Sequence, residues 1–534
     1  MTWTSSAGLV LDDLVPAELR ERWVRQGQCP GRDLYSLFLD RVREDPAREA
    51  LVDGRGSLDR AGLAERVHRA AAALRARGCG ARDIVGVVLP DGRDTIAVEL
   101  AVAALGALCL PIPHGRSRAD VASLLLRSRS ALVVTDRDDV EDAPVLRTGP
   151  ATLDPDGPFA DPRPPEPERA DPESPARILI SSGSEDEPTM VAYTHNAMAG
   201  GRGNYARALL GDGHVRALVL APLASSFGSL GLVSLIRLGA TLLVPGEFDP
   251  AQALRWVERH RPTHLLGVPT MLRRTALAEE DADTSSLRSL VASGAPLHRE
   301  VRDLCERRFG RPVINVYGST DGVNCHTAHA PERWEPGMAG RPDAAVCDIR
   351  VCDPHGRPLP AGETGEILAR GPMTPLCHVA APELDARGRA PGGWVRTGDL
   401  GRIGHDGTLW VVDRLRRTVL RGGTTLFPTE AERALAAHPA LAEVQCVPVP
   451  DPDLGERMCA CVCPSPGADP PSARELISHL REGHGMDVRS LPEHVVFLPA
   501  LPLGPTGKVC TDTLTRMATE EVRGRPTVLS GDLP

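Results

Sequence analysis

The chain has 534 residues, 42% of them hydrophobic and 25% charged, which is the composition of a soluble globular protein of two or three domains. Its net charge of −10 argues against binding to nucleic acid or to an anionic membrane surface. No apolar run approaches the ~20 residues that span a bilayer, no secretory signal is visible, and the 13 cysteines lack disulfide-framework spacing. We therefore expect a cytoplasmic protein with reduced thiols.

Short apolar strands alternate with helical patterns in two stretches of the chain. In the first stretch, about 34–136, the pattern predicts helices over 63–76 and 95–108 with apolar strands between and after them. A segment rich in Pro, Asp and Glu, 154–175, is predicted to be a poorly ordered surface linker, and the alternation resumes at Arg177. Continuously apolar strands separated by helices indicate parallel sheets with helices on both faces.

The last third of the chain differs in pattern. After about Val346 strands and turns predominate, which predicts a small β-rich subdomain, and Pro428 is placed to open a helix. The fold class is therefore α/β. We predict an N-terminal domain, 1–413, made of two doubly wound α/β subdomains plus the β-rich subdomain. A small mobile α+β domain, 414–534, follows it.

One lysine stands out among the 61 Lys and Arg residues, because it is the only lysine in the chain. Lys508 ends the glycine-rich stretch that begins at Pro502. An ammonium group on a flexible stem can reach into a site and contact one or two oxygens, which a planar guanidinium does less readily. We therefore predict a chemical role for Lys508 at a site formed by the larger domain.

Four short motifs carry groups that suit a nucleotide, although each alone is as typical of an ordinary turn. They are Ser181–Pro188, Ser293–Leu297, Asn315–Gly322 and Thr397–Asp399. Hydroxyls and glycine in the first can bind phosphate oxygens, while its three acidic residues oppose that. The second leaves backbone accessible to a flat ring. Thr320 and Asp321 in the third suit phosphate and Mg²⁺, and Asp399 in the fourth can chelate a ribose diol.

In this order and spacing the motifs resemble those of the acyl- and aryl-adenylate-forming superfamily, which includes acyl-CoA synthetases, aryl acid–AMP ligases, stand-alone adenylation enzymes and luciferases. The resemblance covers roughly 34–511. It implies that Tyr317 stacks on adenine, that Thr320 contacts the α-phosphate and that Asp321 holds Mg²⁺. It also implies that Lys508 bridges carboxylate and α-phosphate oxygens, where a fixed cation stabilises the charge of the transition state.

The resemblance assigns the site residues to three groups. The catalytic group is Lys508, Thr320 and Asp321, with Asp321 also the metal ligand. The nucleotide group is Ser181, Ser182, Gly183, Ser184, Ser293, Gly294, Ala295, Pro296, Tyr317, Gly318, Ser319, Thr320, Asp399 and Arg414. The acid pocket is lined by Ser225, Phe227, Gly228, Val268, Asn315 and Val323, together with Ser293 and Gly318. No Lys or Arg belongs to this lining, so the reacting carboxylate relies on Lys508.

The chain departs from the superfamily pattern at several positions. Thr189 replaces the usual lysine of the phosphate loop and Glu185–Asp186 replaces a Thr-Gly pair, which predicts altered pyrophosphate handling. Asp321 is one methylene shorter than the usual glutamate. Ser225 replaces a histidine that gates the substrate, which predicts a wider mouth. Arg417 replaces an acidic residue at the hinge, so thioester formation is open to question.

These features predict an enzyme that uses ATP and Mg²⁺ to convert a small, perhaps aromatic carboxylic acid into an acyl-adenylate. Transfer to CoA or to a carrier-protein thiol, in bacterial secondary metabolism, is the expected second step. Two alternatives stay open at this point. One is ATP-dependent activation of nitrite to diazotise an aromatic amine, or ligation of the acid to an amine. The other is a non-catalytic homologue that binds adenylate.

Overall fold

The structure is a computed structural model that describes residues 2–140, 145–147, 170–181, 188–328, 334–415, 418–421, 424–504 and 509–528. The strands within these ranges are β1 (Thr2–Thr4), β2 (Val10–Asp12), β3 (Glu49–Asp53), β4 (Gly56–Asp59), β5 (Ile84–Val88), β6 (Leu108–Pro111), β7 (Leu132–Thr135), β8 (Val145–Arg147), β9 (Pro175–Ser181), β10 (Thr189–Thr194), β11 (Arg216–Val219), β12 (Thr241–Leu243), β13 (His264–Gly267), β14 (Ser289–Ser293), β15 (Val313–Gly318), β16 (Asn324–His326), β17 (Met338–Gly340), β18 (Asp348–Cys352), β19 (Gly365–Arg370), β20 (Cys377–His378), β21 (Arg389–Ala390), β22 (Trp394–Ile403), β23 (Leu409–Arg414), β24 (Val419–Arg421), β25 (Thr424–Leu426), β26 (Leu441–Asp451), β27 (Gly455–Pro464) and β28 (His494–Phe497).

The α-helices in the same ranges are α1 (Ala17–Arg25), α2 (Leu34–Glu44), α3 (Arg60–Ala76), α4 (Arg93–Ala104), α5 (Arg118–Arg127), α6 (Gly203–Leu210), α7 (Ser229–Leu238), α8 (Pro250–His260), α9 (Pro269–Leu277), α10 (Arg299–Phe309), α11 (Pro382–Gly388), α12 (Pro428–Ala436), α13 (Ala473–Ser478) and α14 (Thr511–Val522). Two π-helical segments, Ala197–Arg202 and His479–Gly483, and a short 3₁₀ turn, Val488–Ser490, complete them. Among the helices that the structure describes, none is both long and apolar enough to cross a membrane.

The first large sheet has the strand order β20–β10–β9–β6–β5–β7–β8. Strands β9, β6, β5, β7 and β8 run parallel, and β10 and β20 add antiparallel pairs at one edge. Every residue of Ile84–Val88 is buried, as the continuously apolar pattern predicts for a parallel strand covered on both faces. The helix predicted over 95–108 ends earlier, at Ala104, because Gly106 adopts a positive φ of 65° and Leu108 begins β6.

The second large sheet has the order β16–β15–β14–β13–β11–β12–β3–β4. The six strands from β15 to β3 run parallel, and an antiparallel strand closes each edge. Together the two sheets confirm two parallel-sheet α/β units in the N-terminal domain. Most of the predicted linker, 154–169, lies outside the described residues, and its end at Pro175 begins β9.

A third sheet, in which the described strand pairs are antiparallel, has the order β17–β23–β22–β19–β18 and forms the predicted β-rich subdomain. The C-terminal sheet, ordered β25–β24–β27–β26 with β28 beside β27, packs against α12 and α14 around apolar clusters of its own. Cys459, Cys461 and Cys463 are buried in one of these clusters, as expected for small thiols along one strand face. The chain is therefore mixed α/β with a large N-terminal and a smaller C-terminal domain. The boundary at 413/414 remains a prediction.

One buried histidine gives the fold a predicted response to acid. His195 is 1% exposed, and its Nδ1 accepts a hydrogen bond of 3.2 Å from the Leu34 backbone N–H. Burial lowers the pKa of His195 to about 4, against the attraction of Asp33 and Asp171. Between about pH 6.5 and pH 4 the unfolded chain therefore binds a proton that the folded chain does not. The free energy of unfolding consequently decreases as the pH falls through this range.

We expect wild type to lose about 1–3 kcal/mol more stability than His195→Asn when the pH falls from 7 to 4.5. Asparagine keeps an acceptor for the Leu34 N–H but does not titrate in this range. Thermal unfolding midpoints of both proteins across this range measure the difference. Parallel pH profiles would show that His195 is not the titrating group.

Candidate nucleotide and acid site

The predicted motifs converge at one edge of the second large sheet. Strands β13, β14 and β15 are parallel, and their register places Gly267 beside Ala292 and Ser293 beside Val316. Their carboxyl ends therefore lie at the same edge, where ligands bind in open α/β sheets. An isolated parallel bridge between Ile180 and Ser225 brings the end of β9 to this edge.

Asp399 is held at the centre of a three-residue arrangement. The Tyr317 hydroxyl donates to Asp399 Oδ2 at 2.7 Å, and Arg414 Nε donates to Oδ1 at 2.9 Å. Burial raises the pKa of Asp399, which is 2% exposed, and the contacts with Arg414 and Tyr317 oppose that shift. A carboxylate has about four acceptor positions, so two remain for a diol. Asp399, the residue predicted to bind the ribose, therefore has a fixed orientation.

Thr320 and Asp321 lie in the turn that follows β15. The buried Tyr193 hydroxyl donates to the Thr320 carbonyl at 2.7 Å, which fixes the backbone of the turn. The Asp321 backbone N–H donates to Ser319 Oγ at 3.1 Å. Gly322 has a φ of 94°, and a Cβ there would lie 2.6 Å from Pro375 Cδ, so this position requires glycine. The turn is therefore rigidly placed.

His378 joins this turn although no sequence motif pointed to it. Its Nε2 lies 3.1 Å from Asp321 Oδ1 and its Nδ1 lies 2.8 Å from Asp385 Oδ1. Burial alone would lower the pKa of His378, but the two carboxylates outweigh it and raise the pKa to about 9. The imidazole is therefore charged at neutral pH. The same contact outweighs burial and keeps the pKa of Asp321 below its usual value.

The predicted phosphate loop is described only at its two ends, and Lys508 is not among the described residues. Ser182, Gly183, Ser184, Arg417 and Lys508 lie outside the described residues, so their predicted roles stay predictions. On either side of the predicted phosphate loop, Ser181 and Thr189 pair across β9 and β10, and their hydroxyls hydrogen-bond to each other. Leu503 and Val509, on either side of the lysine segment, form an antiparallel bridge.

The predicted acid-pocket residues occupy the same sheet edge. Ser225 Oγ donates to the Pro222 carbonyl at 2.7 Å and accepts from the Gly228 N–H at 2.9 Å. A Cβ on Gly228 would collide with that carbonyl, so the loop closes only around glycine. Val268 and Val323 are buried, whereas the Asn315 amide donates to the Met338 carbonyl at 2.9 Å. This bond occupies one donor of the Asn315 side chain.

Buried Arg177 and partly buried Asp91 hold the Leu223 backbone of the acid-pocket loop, and no sequence motif pointed to either residue. Arg177 Nη2 donates to the Leu223 carbonyl at 2.8 Å, and the Leu223 N–H donates to Asp91 at 3.1 Å. Glu99 pairs with Arg177 at 2.8 Å. Arg177 lies on β9 of the first large sheet, Asp91 follows β5 and Glu99 lies on α4, while Leu223 follows β11 of the second sheet. The contacts therefore fix the two α/β units to each other at the site.

Comparison with known proteins supplies the family. Residues 38–377 match the family model described as AMP-binding enzyme, and 430–508 match AMP-binding enzyme C-terminal domain. The chain is 31% identical to "Salicyl-AMP ligase / salicyl-S-ArCP synthetase" of Mycobacterium tuberculosis over 94% of this chain and 93% of that protein. It is also 31% identical to "Feruloyl-CoA synthase" of an Amycolatopsis species, over 90% and 98%. The solved amide bond synthetase McbA from Marinactinospora thermotolerans is 27% identical, with a TM-score of 0.79 and coverage of 91% and 99%.

The fold and the site together define an adenylate-forming enzyme that uses ATP. The chain belongs to the AMP-binding enzyme family and is an acid–AMP ligase or acyl-CoA synthetase-like enzyme. The family resemblance, the fold class and the enzyme class predicted from sequence are thereby confirmed. The roles of the individual site residues remain predictions.

Proposed function

We propose that the enzyme condenses a small aromatic carboxylic acid with ATP to form an aryl-adenylate and pyrophosphate, and then transfers the acyl group to a thiol. The observation that carries this proposal is the position of Asp399, on β22, between Arg414 on β23 and Tyr317 on β15, the strand that leads directly into the turn with Thr320 and Asp321. This arrangement supports ribose, adenine and α-phosphate contacts within one small region.

The donor set at this turn fits Mg²⁺ carried in by the nucleotide. Among the residues that the structure describes, no group of three or more His, Cys, Asp or Glu side chains is arranged to hold a metal ion by itself. Mg²⁺ is usually held by one or two carboxylates together with substrate phosphates. Asp321 would supply that carboxylate, and the ion would neutralise phosphate charge. Lys508 would then stabilise the charge that builds as the acid attacks the α-phosphate.

His378 is expected to weaken the hold of Asp321 on Mg²⁺, because its positive charge lies beside the same carboxylate. His378→Gln should therefore lower the Mg²⁺ concentration for half-maximal ATP binding by roughly 3- to 10-fold. Isothermal titration calorimetry with ATP at several Mg²⁺ concentrations measures this half-maximal Mg²⁺ concentration. His114→Gln is a matched control, because His114 also lies beside a carboxylate, with its Nε2 3.0 Å from Asp136 Oδ1, and not beside Asp321. An unchanged or higher Mg²⁺ requirement in His378→Gln would contradict this account.

The acid and the acceptor are proposed from the relatives. The Mycobacterium tuberculosis and Amycolatopsis proteins are named for salicyl and feruloyl groups, which are aromatic, and for AMP, CoA and S-ArCP products. An aromatic acid and a thiol of CoA or of a carrier protein are therefore the best supported choice. Ligation to an amine is the second candidate, because McbA is named as an amide bond synthetase.

The test is a panel of aryl and alkyl acids with Mg·ATP, in which AMP and pyrophosphate are measured. Each acid is run with CoA, with a carrier protein, with an amine and with no acceptor, and nitrite plus an aromatic amine forms a separate arm. We expect release that depends on an aryl acid and accelerates with a thiol. Acceleration by an amine alone would select the amide ligase. Release that needs nitrite instead of an acid would overturn the proposal.

A further inference from the structure

A π-helical segment, Ala197–Arg202, joins β10 to α6 beside the acid-pocket loop. Turns of this kind occur often at functional sites because they redirect a side chain. Gly200 packs against Cys29 and Gly201 packs against the Met373 backbone, so closely that neither position has space for a Cβ. The segment is therefore fixed in place, and Arg202 ends it.

Arg202 is a buried cation without an acidic partner. It is 3% exposed, and in the part of the chain that the structure describes no carboxylate forms an ion pair with it. Its Nη2 donates to the Ser226 carbonyl and, at 2.8 Å, to Ser229 Oγ, whereas its buried Nε has no hydrogen-bond partner among the described residues. By contrast, the buried Arg177 pairs with Glu99. Buried charges are normally paired, so Arg202 requires an explanation.

Two further buried polar atoms face the same region. Within the described ranges Asn324 Oδ1 accepts no hydrogen bond, and the Tyr205 hydroxyl is paired with nothing but the Asn324 side chain beside it. Tyr205 lies three residues after Arg202, and burial raises its pKa while the neighbouring Asn324 side chain opposes the rise. A Cβ on Gly318 would lie 3.0 Å from Asn324 Nδ2. Asn324 thus adjoins a predicted pocket residue.

The three groups come from separate elements but share one neighbourhood, the predicted acid pocket. Arg202 contacts the loop that carries Ser225 and Phe227, and Asn324 directly follows Val323 in the chain. Buried donors and acceptors are rarely left unpaired in proteins unless a ligand or water completes them. Arg202 and Tyr205 supply donors and positive charge, so an oxygen acceptor on the ligand is the complementary group.

We propose that Arg202, Tyr205 and Asn324 bind an oxygen substituent of the acid at the end remote from its reactive carboxylate. This inference rests on the proposed function and narrows its substrate class to aromatic acids that carry a ring hydroxyl, a carbonyl or a second carboxylate. The pocket residues assigned from sequence include no Lys or Arg, and Arg202 supplies the missing cation. Its charge favours an anionic substituent over a neutral one.

The experiment compares kcat/KM for sets of acids that differ only in the remote group. Suitable sets are benzoate with its 3- and 4-hydroxy and 3- and 4-carboxy derivatives, and cinnamate with the same series. The variants are Arg202→Gln, Arg202→Lys and Tyr205→Phe, of which the last removes only a hydroxyl and leaves the ring in place. Pyrophosphate release is the readout, and thermal unfolding confirms that each variant is folded.

In wild type we expect the best oxygen-bearing acid to exceed its unsubstituted partner by roughly 10- to 100-fold in kcat/KM. Arg202→Gln and Tyr205→Phe should reduce that ratio about 10-fold, because the oxygen-bearing acid loses more rate than its unsubstituted partner, and Arg202→Lys should retain most of it. The carboxy derivatives show whether charge adds to the effect.

Two results would overturn this inference and leave the proposed function intact. One is a ratio near one for every set in wild type. The other is an equal loss for both members of each set in the variants, which is what a purely structural role in holding the Ser226–Ser229 loop produces. Failure of every acid to release pyrophosphate in wild type would overturn both proposals together.

Discussion

Replacing Lys508 with alanine is expected to lower acid-dependent pyrophosphate release by about 10²–10³-fold. Lys508 is the only lysine of the chain, and in the superfamily pattern it contacts the carboxylate and α-phosphate oxygens. Because this contact strengthens as negative charge builds, kcat should fall far more than the KM values for ATP and acid rise. Steady-state kinetics with a responsive acid measures the two constants separately.

Lys508→Arg is the matched control for charge. It keeps the positive charge but replaces a compact ammonium with a planar fork, and we expect it to remain severely impaired. Calorimetric binding of ATP should be nearly unchanged in both variants. A Lys508→Ala enzyme that retains more than about a tenth of the wild-type kcat would remove Lys508 from the chemical step.

Replacing Asp399 with alanine is expected to weaken ATP binding by roughly 100-fold. The substitution removes the carboxylate that would accept both ribose hydroxyls, and it also leaves the Tyr317 hydroxyl and Arg414 without their shared partner. Equilibrium binding of ATP and of 2′-deoxy-ATP measures the effect. Wild type should prefer ATP, and Asp399→Ala should lose that preference because the ribose contact is gone.

Tyr317→Phe separates the support of Asp399 from its direct contact with the ribose. It removes one hydrogen bond to Asp399 and keeps an aromatic ring for adenine, so we expect a smaller loss of affinity, roughly 3- to 10-fold. If Asp399→Ala bound ATP as tightly as wild type, or discriminated against 2′-deoxy-ATP equally well, Asp399 would not be the ribose ligand.

Much of the fold could be predicted because buried strands and helices have characteristic patterns of apolar residues in the sequence. The fully buried strand Ile84–Val88 has a continuously apolar run, and the alternation of such runs with helices predicts parallel sheets. Strand β22 was not predicted, because its residues Trp394–Ile403 mix polar side chains with two glycines. Asp399, expected in a loop motif, lies within that strand, paired with Arg414 on β23.

The site was predictable only where its residues cluster in short motifs. Tyr317, Thr320 and Asp321 lie close together in the chain, whereas His378 reaches Asp321 only because β20 pairs with β10 at the edge of the other large sheet. The burial of Arg202 could not be predicted either, because an arginine that follows two glycines gives no indication that its side chain is buried. Strand pairing that is distant in sequence, and the burial it produces, decide such contacts.

The most direct test of the central claim is detection of the adenylate itself. The enzyme at high concentration is mixed with Mg·ATP and an aryl acid without an acceptor, quenched after a single turnover and examined by mass spectrometry. We predict an acyl-AMP and pyrophosphate in amounts that approach the enzyme concentration, with neither formed by Lys508→Ala. Release of ADP and phosphate, or the absence of an acid–AMP adduct with every acid despite measurable ATP binding, would contradict the account.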